Sequence, residues 1–128
     1  MTAGFYYAAI AGTILSFLAG CLWYTLLTGK IWQQEMGFSD ARIKEIFTPG
    51  RMFLAFVTEW IAAFCTIGLF HNLPVALTYK VLMILGVLIF QGIKLSIFDG
   101  KSFKTILINE GYRIISILIL AATYSIFM

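Results

Sequence analysis

The amino-acid sequence predicts an all-α fold: a polytopic membrane protein built as a four-transmembrane-helix bundle, with a short interfacial amphipathic helix after helix one. Three observations carry this. Of 128 residues, 61% are hydrophobic and 12% charged, whereas soluble domains run at roughly 45–50% apolar and about 25% charged. The apolar residues gather in four runs, each long enough to cross a hydrocarbon layer about 30 Å thick. Between the runs stand Pro49-Gly50, Asn72-Leu73-Pro74 and Asp99-Gly100, turn formers that let a chain re-enter a bilayer. Residues 1–128 are expected to form one transmembrane domain, with spans at about 4–28, 51–70, 75–98 and 103–128.

The first run, Gly4 to about Thr28, carries no charge and places Ala8, Gly12, Ser16 and Gly20 four apart. Small residues at that spacing line one helix face and let another helix approach closely. This seam invites a neighbouring chain, so a homo-oligomer is expected. Trp23, Tyr24, Lys30 and Trp32 follow as an interfacial motif, since amphipathic rings and long cations settle at the headgroup level. Leu18-Ala19-Gly20-Cys21 has the composition of a lipoprotein cleavage box. A cleaved signal needs a basic leader and a short apolar core, whereas no Lys or Arg precedes this box and the apolar run continues past it. The first span is therefore expected to stay. Cys21 and Cys65 differ in expected depth by about 10 Å at 1.5 Å per residue, too far for a disulfide. They read as small apolar residues.

Residues 31 to 50 alone have a soluble composition. Ser39 followed by Asp40 opens a short helix whose Ile43, Ile46 and Phe47 share one face, a pattern that lies flat on a membrane, and Pro49-Gly50 is expected to end it. The second span, Arg51 to Phe70, leads through His71-Asn72-Leu73-Pro74 into the third, about Val75 to Phe98. Asp99-Gly100-Lys101-Ser102 turns the chain into the fourth, about Phe103 to Met128, with no soluble tail. Lys80, near the end of the third span, is expected to snorkel to the headgroups, and His71 to be solvated.

The net charge of +3 comes from basic residues in short connecting segments, where anionic headgroups meet them. No nucleic-acid partner is expected, because stacked aromatic platforms and arginine stripes are missing. Lys30, Arg42, Lys44 and Arg51 flank loop one and Lys94, Lys101 and Lys104 surround loop three, while loop two and both ends carry no Lys or Arg. Loops one and three are thus expected in the cytoplasm and both termini outside, in one preferred orientation. The absence of an organellar leader suits a bacterial inner membrane.

Ionisable side chains inside spans are costly, roughly 2.5–3.5 kcal/mol each at a helix centre, and call for a partner or a job. At 1.5 Å per residue, Glu59 lies about 12 Å, Glu110 about 10 Å and Arg113 about 15 Å from the ends bearing loops one and three. Glu110 and Arg113 are three apart on one helix and so within reach. Glu59, at matching depth, completes a candidate charged triad. Gln91 and Lys94 approach the same layer, and Asn109, Tyr112 and Ser116 extend a polar stripe with Arg113 along the fourth span. Ala55, Glu59, Ala62 and Thr66 form a matching stripe on the second. The expected intramembrane polar site is Glu59, Gln91, Lys94, Asn109, Glu110, Tyr112, Arg113 and Ser116.

No His-Glu-x-x-His, Gly-x-Ser-x-Gly or phosphate-cradling glycine loop occurs, and His and Cys are too few for a zinc or iron site. No cofactor, metal or catalytic residue is expected. Three readings stay open. The polar layer belongs to a small transporter or channel-like protein handling a solute or ion; or it only holds together a structural or accessory subunit; or it serves a small membrane enzyme acting on a lipid or amphiphile through Glu110, Tyr112 and Arg113.

Two segments, Gly20-Cys21-Leu22-Trp23-Tyr24 with Gly29-Lys30-Ile31-Trp32, and Leu107-Ile108-Asn109-Glu110-Gly111-Tyr112-Arg113, resemble the signatures of a bacterial family of uncharacterised four-helix membrane proteins, domain of unknown function 1761. The resemblance covers nearly the whole chain and implies the four-span topology, with no established activity. It marks Trp23, Tyr24, Lys30, Trp32, Asn109, Gly111 and Tyr112 as motif positions that one cytoplasm-facing site can combine. This chain has Thr25-Leu26 where the family pattern has Ser-Pro, and Ala121-Ala122 where it has Gly-Ala. The resemblance therefore carries no proline kink into the end of helix one.

Overall fold

The structure, a computed structural model, describes residues 2–128. These form six α-helices, α1 Ala3–Leu22, α2 Gly29–Met36, α3 Asp40–Ile46, α4 Pro49–Asn72, α5 Leu77–Phe98 and α6 Phe103–Phe127, with a π-helical stretch, Trp23–Leu27, continuing α1. Four segments, Ala3–Leu27, α4, α5 and α6, are long and apolar enough to cross a membrane. The shortest has 22 residues, about 33 Å at 1.5 Å each, which exceeds the hydrocarbon thickness.

The turns follow the local chemistry closely. Thr48 caps α4 by accepting from Arg51 N at 3.4 Å, and Pro49 occupies the first turn, where a missing N–H costs nothing. Pro49-Gly50 therefore opens the second span instead of ending the helix before it. Ser102 caps α6 through Thr105 N at 3.2 Å. At the end of α5, Gly100 sits at φ 70°, while Gly100 N bonds Ile97 O at 3.1 Å and Lys101 N bonds Ser96 O at 3.0 Å. This paired closure uses the left-handed backbone that glycine adopts without strain.

The segment after the first span holds two short helices rather than one. Gly37, at φ 71°, ends α2, and Ser39 then caps α3 by accepting from Arg42 N at 3.1 Å. The expected helix starts where Ser39 opens it, and α2 before Gly37 is an additional one. Ile43, Ile46 and Phe47 are half-buried while Arg42, Lys44 and Glu45 are exposed, so α3 is amphipathic as expected. Phe47 meets Trp32 of α2 at 6.4 Å between ring centroids, and Gln33 Nε2 donates to Asp40 Oδ1 at 2.9 Å. The pair folds back as a helical hairpin.

The bundle is organised around α1 and α6, its most closely packed pair. α4 lies against α1, α5 against α6, and α4 touches α5 only lightly. The small-residue seam explains the central pair. A Cβ on Gly12 would come within 2.5 Å of Leu120 Cδ2 and 3.0 Å of Thr123 Oγ1, and one on Gly20 within 2.8 Å of the Tyr112 hydroxyl. Ala8 and Ser16 are fully buried between them. The seam is thus spent largely on α6 of the same chain.

In the half of the bundle nearest loop two, Phe5, Ala8, Ala63, Ile67, Phe70 and Leu120 form a core with almost no exposure. Van der Waals packing of this kind holds helices together where lipid removes the hydrophobic drive. Lys80 lies here too, contrary to the snorkelling expectation: it is buried and donates to Phe70 O, 5.9 Å from the Tyr124 ring centroid. The last carbonyls of α4 lack helical partners and carry the negative end of its dipole. Lys80, in the first turn of α5, answers both.

Candidate functional site

At the opposite end, nearest loops one and three, α1 widens. Thr28 N reaches back five residues to Trp23 O at 2.9 Å, Thr28 Oγ1 donates to the same carbonyl at 2.6 Å, and Thr25 Oγ1 donates to Cys21 O. No proline is involved. Neighbours on a regular helix point about 100° apart; the wider π turn lets consecutive Trp23 and Tyr24 both face α6. Such turns recur at functional sites.

Trp23 Nε1 donates to Ile108 O at 2.9 Å, and its ring covers Gly111, where a Cβ would stand 3.0 Å from Trp23 Cζ2. Tyr24 donates to Asn109 Oδ1 at 2.8 Å. In the other direction, the Tyr112 hydroxyl donates to Ser16 O at 2.9 Å. Tyr24 also meets Tyr112 and Trp32 edge-on, at 5.6 and 5.5 Å between centroids. The two motif segments thus interlock across α1 and α6. Lys30 alone stands apart, exposed.

Two cavities flank this lock. The first, about 460 Å³, lies among α1, α2, α3, α4 and α6 and is lined by Phe17, Cys21, Trp32, Phe47, Met52 and Glu59, among others. The second, about 450 Å³, lies between α5 and α6 and is lined by Gly92, Ser96, Asp99, Glu110 and Arg113. Tyr24, Lys101, Asn109 and Tyr112 line both. The Tyr24–Asn109 hydrogen bond therefore belongs to the wall between them.

The charged side chains divide between the cavities instead of forming one triad. Arg113 Nε lies 3.3 Å from Glu110 Oε2 and Nη1 donates to Leu88 O of α5 at 3.2 Å. Glu59 accepts from Ser116 at 3.3 Å in the first cavity. Glu110 and Ser116 are six apart on α6, about 120° around it, so one faces α5 and the other α4. The Glu110 side chain is 8% exposed, yet neither of its oxygens accepts a hydrogen bond.

Gln91 and Lys94 do not enter either lining; both are exposed on the outer face of α5. Their neighbour Gly92 does the work instead. A Cβ there would overlap Glu110 Oε1 and approach Arg113 Cζ to 3.0 Å, so its absence makes room for the ion pair and for the reach to Leu88. Gly92, Ser96, Lys101 and Cys21 were not among the expected site residues. The available signal was Gly92 with Ser96, four apart and both buried, the same small-residue spacing as in α1.

A family model described as "Protein of unknown function (DUF1761)" matches residues 7–125. The chain belongs to the DUF1761 family. No curated protein and no solved structure matches it. In this DUF1761 chain the motif residues Trp23, Tyr24, Asn109, Gly111 and Tyr112 all contribute to the weld between α1 and α6, while Glu59 and Arg113 face the spaces beside it.

Proposed function

We propose that this DUF1761 protein is a small carrier that takes a solute into the paired cavities from the side of loops one and three, which lie in the cytoplasm. One observation carries the reading: the intramembrane charges are only partly spent on holding helices together. Glu59 and Arg113 each reach a neighbouring helix through one contact, a hydroxyl and a backbone carbonyl, and neither Glu110 oxygen accepts a hydrogen bond, Oε2 having only the Arg113 ion pair. Their remaining bonding capacity faces cavities of about 460 and 450 Å³, within the range of roughly 300–1,000 Å³ usual for ligand sites.

Assembly is served by other residues, the Trp23, Tyr24 and Tyr112 hydrogen bonds and the α1 seam. This favours a solute site over a subunit whose polar layer is only adhesive. The packed core near loop two favours a carrier that changes state over a standing channel. The test compares wild type, Glu59→Gln and Arg113→Gln by mass spectrometry of small molecules released from the purified protein, and by flux of the molecule so found into liposomes. The expected result is folded variants with flux reduced about tenfold, the loss of a contact near 1.4 kcal/mol. Variants that keep full flux, or that only fall out of assembly, contradict it.

A further inference from the structure

The first cavity differs from the second in one respect that narrows its occupant. It holds a carboxylate, Glu59, that no cation among the described residues pairs with. Glu59 has a single side-chain partner, the Ser116 hydroxyl at 3.3 Å. Among the described residues, the ion pairs go elsewhere: Arg113 to Glu110, Lys101 to Asp99, Lys104 to Glu35 and Arg42 to Glu45. Lys101, which lines the cavity as well, stands 3.9 Å from Asp99. Arg113 lines only the second cavity, beyond the shared Tyr24–Asn109 wall.

Five of the other lining side chains are aromatic. Phe17, Tyr24, Trp32, Phe47 and Tyr112 surround the same space. Ring faces attract a cation, and do so more strongly when water is excluded. A carboxylate at this depth costs roughly 2.5–3.5 kcal/mol unless neutralised, and a bound cation neutralises it. An anion would instead bring a second negative charge into a space that already holds one.

We infer that the first cavity is a binding site for a lipophilic organic cation, with Glu59 as its counter-charge and the rings as its walls. The inference rests on the carrier reading and names its substrate class. Tetraphenylphosphonium is the probe, and tetraphenylborate, of the same shape and opposite charge, is the control. Both are measured by equilibrium dialysis against the full chain in nanodiscs, with empty nanodiscs subtracted.

The protein is expected to retain the phosphonium saturably and not the borate. Glu59→Gln should weaken phosphonium binding by at least about tenfold, as removal of a buried counter-charge does, while Lys94→Gln stays within about threefold because Lys94 is exposed and lines neither cavity. Glu59→Asp, which keeps the charge, should bind more tightly than Glu59→Gln, and decides the matter on its own against wild type if the glutamine variant fails to fold. Equal retention of both ions, retention of neither, or equal binding by wild type and Glu59→Gln overturns the cation site. A released solute that is neutral or anionic, yet moved by wild type and lost in the variants, would leave the carrier standing and remove only the cation.

Discussion

Gly92 shows how a single missing side chain sets the chemistry of the second cavity. The methyl of Gly92→Ala would occupy the place of Glu110 Oε1 and crowd Arg113 Cζ, whereas Gly86→Ala, on the same helix, would meet nothing within 4 Å. Overpacking of this kind costs about 1–3 kcal/mol. Thermal unfolding in detergent should therefore show Gly92→Ala destabilised and Gly86→Ala unchanged or slightly improved; equal behaviour would contradict the packing described. The Glu110–Arg113 pair was legible in the sequence because i, i+3 spacing fixes adjacency on one helix. The partner of Glu59 was not. It depends on how far α4 is rotated about its axis, which is decided by the packing of α4 on α1, and hydropathy does not record it.

The elements themselves were legible wherever a local device ends or starts them. Ser39, Thr48 and Ser102 each cap a helix, and Gly37 and Gly100 each sit at positive φ just after one. What escaped was α2, before Gly37, and the π turn of Trp23–Leu27. The π turn arises from Thr25 and Thr28 hydroxyls donating to carbonyls of the preceding turn, a competition with the helix ladder that composition does not rank. Because that ladder is already altered, Leu26→Pro, which places proline where the family pattern has it, should cost well under the roughly 3 kcal/mol of an interior helical proline. Leu15→Pro, in the regular part of α1, is the comparison. Similar losses of melting temperature in the two variants would count against a π turn at this point.

Across the whole molecule, the four spans follow from apolar run length, but their arrangement does not. The pairing of α1 with α6, first span with last, comes from a seam of small residues finding its complement in the same chain. It also places the two motif segments in contact and opens a cavity on either side of them. The carrier reading requires the first cavity to be open to water and not a sealed packing defect. The native cysteines report on it, since Cys21 lines that cavity and Cys65 is exposed on α4 without lining either cavity. A thiol reacts as its thiolate, which requires water. In membranes, a permanently charged methanethiosulfonate should modify Cys21 at least about tenfold faster than Cys65, whose surroundings are lipid, and tetraphenylphosphonium should slow only the Cys21 reaction. An unreactive Cys21, or equal rates at the two cysteines, would contradict the site.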